Sequence, residues 1–228
     1  GADDANQSSA MNASGNPVNG WTNAYFQEVT CPAGNWAKVL IGGKAFEPCF
    51  IALTASGDIY TWGKSAYLQG MHGTRSFTPR RVPHPSGKLW RKITCTDSVA
   101  AALDSDGDLF VWGKNNSRGM RQYDYFLNAN NRYNATLDVP TRIIPLAEKR
   151  HFDDILVADN STGATFYGIA KLDQSLISWG NARYHVRGDG RHRRSDFSYK
   201  TVTNKTGIRF SELFDCFLDT LSLRGAGQ

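Results

Sequence analysis

The sequence lacks the residue patterns by which most enzymes and metal proteins are recognised. Its 228 residues contain no Gly-x-x-x-x-Gly-Lys-Ser/Thr phosphate loop, no His-Glu-x-x-His and no Gly-x-Ser-x-Gly, and its 5 histidines are scattered. The 4 cysteines include no Cys-x-x-Cys pair, which argues against a structural zinc site and favours buried free thiols. They are Cys31, Cys49, Cys95 and Cys216. We predict no catalytic residue, no metal site and no cofactor, so a binding protein is favoured over an enzyme.

Long apolar segments are also absent. No stretch approaches the roughly 18 residues that a membrane-spanning helix needs, and no charged and apolar leader precedes the rest of the chain. The first 20 residues are rich in Asn, Ser, Ala and Gly without apolar periodicity, which predicts a flexible leader over 1–20. With 40% hydrophobic and 12% aromatic residues, the remainder can bury a sizeable core, and a soluble protein is expected.

The sequence does contain a short motif that recurs along the chain. Glycine, aspartate, three largely apolar residues and a Trp-Gly pair occupy 57–63 and, 50 residues later, 107–113. A weaker copy at 174–180 has Gln174 where the turn glycine is expected. The Trp-Gly pairs are Trp62-Gly63, Trp112-Gly113 and Trp179-Gly180. A spacing this long is typical of repeats that each supply one propeller blade.

Each copy predicts a strand, a tight turn and another strand. An apolar run precedes the turn and alternating residues follow it, which is the period-two pattern of half-buried strands. Gly57 and Gly107 would supply the positive φ of a short hairpin, so Gln174 predicts a looser turn in the third copy. Each Trp is predicted to fill the wedge between neighbouring blades rather than to stack on a ligand. Small residues that suit a narrow inner strand are Ala52, Ala101 and Ala102.

The copies can be aligned beyond the Trp-Gly pairs. Ala52-Leu53 falls opposite Ala102-Leu103, and Ile169-Ala170 is placed opposite both. Each Trp-Gly pair is followed by a variable loop and then by a short motif that ends the copy. A fourth copy begins at Phe210. The predicted propeller segment covers 21–228, with blades at 36–89, 90–151 and 152–209 and an incomplete blade at 210–228.

The order of parts in each copy resembles the regulator of chromosome condensation repeats. It consists of Ala-Leu, a turn, and an aromatic residue that precedes Trp-Gly. Leu68-Gln69-Gly70 and Gly188-Asp189-Gly190 are similar to the glycine-rich stretch of that family, in weaker form. The resemblance covers about 36–228 and implies an all-β fold, a β-propeller segment of four-stranded antiparallel blades from a seven-bladed ring. About three and a half blades are present, so the remainder of the propeller or another chain is expected to close the ring.

The resemblance implies recognition rather than covalent chemistry. Members of the family act as guanine nucleotide exchange factors for small GTPases, as chromatin-docking modules or as protein-interaction platforms. We expect an intracellular protein-interaction propeller, nuclear, cytoplasmic or organellar, that regulates a small GTPase and has no membrane partner. The alternatives are a chromatin or nucleic-acid binding module and a structural subunit of a larger assembly. A histidine that the family often places before Ala-Leu is replaced by Cys49, Val99 and Phe166, and no exchange residue can be assigned here.

The most charged stretch follows the third Trp-Gly pair. It carries arginines and histidines against only Asp189 and Asp196, which predicts positive potential that could meet phosphate or an acidic protein patch. Its cations are Arg183, His185, Arg187, Arg191, His192, Arg193 and Arg194. Arginine makes bidentate contacts with either target. The alternative is a solvated loop without a partner.

A second candidate surface lies in the Asn-rich stretch at 115–136. It mixes aromatic residues with Arg118, Arg121 and Arg132, a composition typical of protein contact surfaces that could also stack single-stranded bases. The aromatic candidates are Tyr123, Tyr125 and Phe126. The alternative is a surface excursion whose aromatic residues pack on the sheet.

Asp153 and Asp154 are paired carboxylates in sequence only. Adjacent residues of a strand point to opposite faces, so these two are predicted to be surface or turn residues rather than a shared site.

Overall fold

Three four-stranded antiparallel sheets make up the described part of the chain. The computed structural model describes residues 28–44, 47–71, 73–114, 136–144, 151–160, 163–180, 200–201 and 213. Within these ranges there is no α-helix, and one 3₁₀-helix covers Tyr67–Gln69. The predicted all-β segment of four-stranded antiparallel blades is therefore confirmed.

Each sheet is built from consecutive strands in chain order. The first contains β1 (Trp36–Gly42), β2 (Cys49–Thr54), β3 (Ile59–Gly63) and β4 (Arg80–Val82). The second contains β5 (Trp90–Cys95), β6 (Val99–Asp104), β7 (Leu109–Lys114) and β8 (Thr136–Ile143). The third contains β9 (Phe152–Asn160), β10 (Gly163–Ala170), β11 (Leu176–Gly180) and β12 (Lys200–Thr201). Short turns join the first strand to the second and the second to the third in each sheet, and turns of this length permit only antiparallel pairing.

The Trp-Gly pairs occupy equivalent places in the three sheets. Trp62, Trp112 and Trp179 lie in the third strands and pair with residues of the second strands in matching register. None of the three is more than 4% exposed. Trp62 stacks on Phe50 with ring centroids 5.2 Å apart, and Trp179 stacks on Phe166 at 5.4 Å. These indoles are packing residues of the sheet faces.

Two apolar cores lie between consecutive sheets. In the first core, side chains from β2 and β3 meet side chains from β5, β6 and β7, and the second core repeats this arrangement one sheet further on. The first core includes Ile51, Leu53, Ile59, Ala100, Ala102, Phe110 and Trp112. Consecutive sheets therefore stack face to face, as successive blades of a propeller do.

The turns between second and third strands follow the sequence pattern. Gly57 and Gly107 have φ values of 86° and 91°, a region that L side chains rarely adopt. Gln174 has φ 58°, so the third turn keeps a left-handed residue without glycine. Its loop is one residue longer, because the paired positions are 169 and 176 in the third sheet and 103 and 109 in the second. The looser third turn is confirmed.

The extra residue shifts the alignment of the third copy. Ile169 rather than Ala170 is equivalent to Leu103, and Gly168 takes the place of the small alanine before it. The predicted alignment of Ile169-Ala170 was therefore wrong by one residue. Gly168 suits this position because Phe152 Cδ1 lies 2.6 Å from the point that a Cβ would occupy.

Backbone hydrogen bonds join each turn glycine to the next sheet. Trp90 N donates to the carbonyl oxygen of Gly57 at 2.8 Å, and Phe152 N donates to that of Gly107 at 2.9 Å. A Cβ on Gly107 would stand 2.6 Å from the carbonyl oxygen of Phe152. These glycines are thus needed both for the turn and for the close approach of the next blade.

One carboxylate departs from the prediction. Asp154 is 4% exposed in β9, and its Oδ1 lies 3.4 Å from Nζ of Lys92 on β5. Its Oδ2 accepts a hydrogen bond from Leu213 N at 2.9 Å. The predicted surface or turn position was wrong for Asp154, because β9 packs against β5 and the side chain meets a lysine there instead of water. Asp153 accepts a hydrogen bond from Gln174 Nε2 at 2.6 Å.

We predict that Gly107→Ala destabilises the fold more than Gly34→Ala. Both glycines have φ near +90°, at 91° and 94°, but nothing lies within 4 Å of a Cβ built on Gly34. Gly34→Ala carries only the backbone cost of about 1–2 kcal/mol. Gly107→Ala should lose roughly 1–3 kcal/mol more, because the methyl group forces the second and third sheets apart. Urea unfolding of both variants measures the difference, and equal losses would contradict a role in the sheet interface.

Candidate interaction surface

The two ends of the stacked sheets carry different loops. We call the end with the β2–β3, β6–β7 and β10–β11 turns the hairpin end, and the end at which the chain leaves β3, β7 and β11 the connection end. The three connections cover 64–79, 115–135 and 181–199. At the connection end Gly43 N donates to the carbonyl oxygen of Thr96 at 3.2 Å, so the ends of neighbouring sheets are aligned.

The predicted partner-binding residues lie in the second and third connections, outside the described residues. They are Tyr123, Tyr125, Phe126, Arg183, Arg187, Arg191, Arg193 and Arg194. The strands before them are described, and both connections begin at the connection end, after Lys114 and Gly180. Their part in binding stays a prediction.

The first connection is described except at position 72, and the side chain of Gln69 holds it from within. This side chain is fully buried, and its Nε2 donates to the carbonyl oxygen of Gly63 at 2.7 Å. Its Oε1 accepts a hydrogen bond from Ser76 N at 2.6 Å, and its carbonyl oxygen accepts one from Thr61 Oγ1 at 2.9 Å. Buried polar groups persist when they are paired in this way. The three bonds fix both halves of the connection to β3.

A fourth bond links the first connection to the next sheet. Trp112 Nε1 donates to the carbonyl oxygen of Leu68 at 2.7 Å, and both residues are fully buried. Gly70, at φ 64°, leaves room for the indole, whose Nε1 lies 3.2 Å from the point that a Cβ would occupy. Sequence reasoning noted Leu68-Gln69-Gly70 and Trp112 separately. It missed their contact because they lie 44 residues apart and no local pattern links them.

At the hairpin end an ion pair recurs in the first two sheets. The aspartate after each turn glycine pairs with the arginine of the closing strand, at 2.7 Å in both sheets. The pairs are Asp58–Arg81 and Asp108–Arg142. In the third sheet both positions differ, with Ser175 and Thr201. Since the Arg81 side chain is 60% exposed, the first pair contributes at most about 1 kcal/mol.

Lys88 lies among three carboxylates of the second hairpin. Its Nζ is 2.6 Å from Asp106 Oδ2, 3.4 Å from Asp104 Oδ2 and 3.7 Å from Asp108 Oδ2. The hydrogen bond between Lys88 and Asp106 raises the pKa of the lysine and lowers the pKa of the aspartate. Cations and carboxylates at the hairpin end are thus matched to one another.

A buried histidine lies beneath this charged group. The His84 side chain is 2% exposed, and its ring lies 4.4 Å from the ring of Trp90 and 4.7 Å from that of Phe110, between centroids. Nδ1 accepts a hydrogen bond from Ser86 N at 3.0 Å, so the neutral ring carries its proton on Nε2. Nε2 faces Asp104 Oδ2 at 3.6 Å, which is longer than a hydrogen bond.

The surroundings of His84 disfavour its protonation. Burial, reinforced by the charge of Lys88, lowers the pKa of His84 below its usual value near 6.5. The charges of Asp104 and Asp108 act in the opposite direction without reversing the shift. The Ser86 hydrogen bond also occupies the nitrogen that a second proton would need. The imidazole is therefore neutral at pH 7.

Known proteins similar to this chain carry RCC1 domains or names derived from RCC1. No family model matches it. It is 29% identical over 182 residues to the RCC1 domain-containing protein RUG3, mitochondrial, of Arabidopsis thaliana, covering 78% of this chain and 38% of that protein. It is 35% identical over 65 residues to the X-linked retinitis pigmentosa GTPase regulator homolog of Caenorhabditis elegans, covering 28% and 5%. It is 35% identical over 68 residues to the RCC1-like G exchanging factor-like protein of Mus musculus, covering 28% and 15%.

A solved structure agrees with the fold. Prp20p from Saccharomyces cerevisiae, the yeast RCC1, matches with a TM-score of 0.54 and 18% identity, over 69% of this chain and 36% of that chain. Prp20p was characterised for its binding to Gsp1p and histones. The homologues of this chain are RCC1-domain proteins. The resemblance that the Trp-Gly repeats indicated is therefore confirmed, while the chain spans only 5–38% of the lengths of these three relatives.

The described cysteines form no disulfide with one another. Cys49 is free and buried, as predicted, and burial raises its pKa far above the usual value. Cys31 and Cys95 are partly buried and form no disulfide within the described part of the chain, and Cys216 lies outside it. Among the described residues no cluster of His, Cys, Asp or Glu could hold a metal ion. The same part of the chain contains no helix long and apolar enough to cross a membrane.

We predict that acid destabilises this fold partly through His84. The pKa of His84 is lower in the folded chain than in the unfolded one, so the unfolded chain binds the extra proton and stability falls as pH drops below about 6.5. His84→Asn keeps an acceptor for Ser86 N and removes the titration. The free energy of unfolding of the wild type should fall more steeply between pH 7 and 5, by up to about 1.4 kcal/mol per pH unit. Parallel denaturation curves for the two proteins would contradict this.

Proposed function

We propose that this chain is a protein-interaction segment of an RCC1-type propeller and that it promotes nucleotide exchange on a small GTPase. One relative is described as a GTPase regulator homolog and another as a G exchanging factor-like protein, and Prp20p was characterised for binding to Gsp1p. Exchange needs no covalent chemistry. A protein that binds the nucleotide-free GTPase more tightly than the loaded form lowers nucleotide affinity by the same factor.

The observation that carries this proposal is the common end of the three connections. Because the sheets are aligned, loops from separate copies can contact one partner together. The proposed contacts are Arg183, Arg187, Arg191, Arg193 and Arg194 from the third connection and Tyr123, Tyr125 and Phe126 from the second. Arginines fit acidic patches and phosphate groups, and aromatic residues supply contact area.

The first sheet is proposed to receive a further blade, from the remainder of a propeller or from another chain. Val39 and Ile41 of β1 are 47% and 70% exposed. Ile155 and Val157 hold the equivalent positions of β9 and are 4% and 1% exposed against the second sheet. Apolar positions that are buried in one copy and exposed in another support the proposal that a further sheet packs on the exposed copy. An intracellular location is part of the same proposal, and RUG3 is described as mitochondrial.

We predict that replacing Arg191, Arg193 and Arg194 by Ser weakens GTPase binding at least about tenfold, because each arginine can make charge-assisted contacts. The probe is Gsp1p loaded with a fluorescent guanine nucleotide, and the measurements are the dissociation constant and the rate of nucleotide release. The matched control removes the same charge from exposed positions of the hairpin end. It replaces Arg81, Arg142 and Lys171 by Ser and should bind within about twofold of the wild type.

Other outcomes separate the alternatives. Failure of the wild-type chain to bind Gsp1p or release its nucleotide would contradict the GTPase proposal. Steeply salt-dependent binding to unrelated DNA duplexes, lost in the arginine variant, would favour a nucleic-acid module. Equal weakening by the control would mean that general charge and not the third connection governs binding.

A further inference from the structure

The short motif that ends the first copy begins after Thr78, and Thr78-Pro79 is the only Ser-Pro or Thr-Pro pair in the sequence. Two arginines, Arg80 and Arg81, follow it directly. Proline-directed protein kinases transfer phosphate to a Ser or Thr that precedes proline, and one class of them also selects a basic residue two positions after that proline. We infer that Thr78 is a phosphorylation site for a kinase of this class. The inference stands apart from the proposed function, because phosphate transfer is measured without a GTPase.

The fold leaves this stretch open to another protein. Thr78 and Arg80 are exposed, and the Arg81 side chain is 60% exposed. β4 begins only at Arg80, pairs with β3 through three residues and lies at an edge of its sheet. Thr78 therefore precedes the strand ladder. Because a residue before proline is restricted to extended conformations, the chain at Thr78 already suits a cleft that binds an extended peptide.

The acceptor hydroxyl is not needed to hold the first connection. Oγ1 of Thr78 lies 3.4 Å from Oγ of Ser76, which is longer than a good hydrogen bond between hydroxyls. Ser76 Oγ donates instead to the carbonyl oxygen of Thr78 at 2.7 Å. In the transfer, Thr78 Oγ1 bonds to the γ-phosphorus of ATP while the bond from that phosphorus to ADP breaks, and the hydroxyl proton passes to the kinase. The bonds that Gln69 makes to β3 and Ser76 stay intact.

The basic residue that the kinase selects has a partner of its own in the fold. Arg81 pairs with Asp58 at 2.7 Å. An exposed pair of this kind contributes at most about 1 kcal/mol, so acidic groups of a kinase can replace Asp58 at small cost. The ion pair therefore does not prevent recognition of Arg81.

The other copies lack this acceptor. In the second sheet Val139 takes the place of Thr78, and it lies inside β8 rather than before it. Pro140 is buried there, whereas Pro79 is only partly buried. In the third copy Tyr199 replaces the proline. The combination of hydroxyl, proline and exposed arginines thus belongs to the first copy.

Phosphate on Thr78 changes the charge of the first connection. The stretch 64–79 contains Lys64 and Arg75 and no Asp or Glu. A phosphothreonine brings about −1.5 to −2 charges at pH 7, which offsets both cations. Phosphorylation is therefore a way to remove the positive charge of this loop without unfolding the sheet.

The test treats the full chain with ATP and a purified cyclin-dependent kinase and locates phosphate by mass spectrometry. We expect phosphate on Thr78 and an incorporation rate at least about tenfold lower in Thr78→Ala and in Pro79→Ala, because both remove a contact that the kinase reads. Arg81→Gln should lower the rate about threefold or more. The matched control is Thr74→Ala, since Thr74 is also exposed in this connection but precedes Arg75 instead of proline. It should stay within about twofold of the wild type.

Each outcome decides the assignment. Phosphate on Thr78 that is lost in Thr78→Ala and kept in Thr74→Ala would support the site. An unmodified Thr78 in the wild-type chain, whether or not another residue takes phosphate, would overturn it. A rate unchanged in both Pro79→Ala and Arg81→Gln would overturn the assigned class of kinase. Matching circular dichroism spectra of the variants exclude loss of folding as the cause of a lower rate.

Discussion

The packing of each sheet against the next is the interaction on which this segment depends. Each blade presents apolar residues on both faces of its second and third strands, so a single sheet cannot keep them from water. Burying one large apolar side chain is worth about 1.5–3 kcal/mol. The first core alone contains a dozen buried residues. Trp112 adds a hydrogen bond across the same boundary, to the carbonyl oxygen of Leu68. Its packing and its polar contact therefore support one interface.

The turn glycines align one blade with the next. Gly57 and Gly107 each accept a hydrogen bond from the first residue of the following sheet. The entrance to the first sheet is held differently, because there the Trp36 side chain donates from Nε1 to the carbonyl oxygen of Val29 at 3.0 Å. Because the sheets are aligned at both ends, loops that are far apart in sequence share a face. A common face is what the proposed recognition function requires, because one partner could then contact loops from separate blades.

The two ends differ in how their charges are neutralised. At the hairpin end, Asp108 is shared by Arg142, Lys88 and His151, with oxygen–nitrogen distances of 2.7, 3.7 and 3.1 Å. A neutral, buried His84 lies behind them, and Lys88 helps to keep it neutral. The first connection, at the other end, contains Lys64 and Arg75 and no Asp or Glu. Matched charges suit a face that stabilises the blades, and excess positive charge suits a face that attracts an acidic partner.

The sequence by itself determined the repeat, its antiparallel hairpins and the looser third turn. These features depend on period-two alternation and on glycine conformation, which are local properties readable within a few residues. Tertiary structure alone decided that Asp154 is buried against Lys92, that Gly168 is the equivalent of the small alanines, and that Gln69 and Trp112 hold the first connection. Those outcomes depend on how one sheet stacks on another, because that stacking brings together residues for which no short-range pattern in the chain specifies a neighbour.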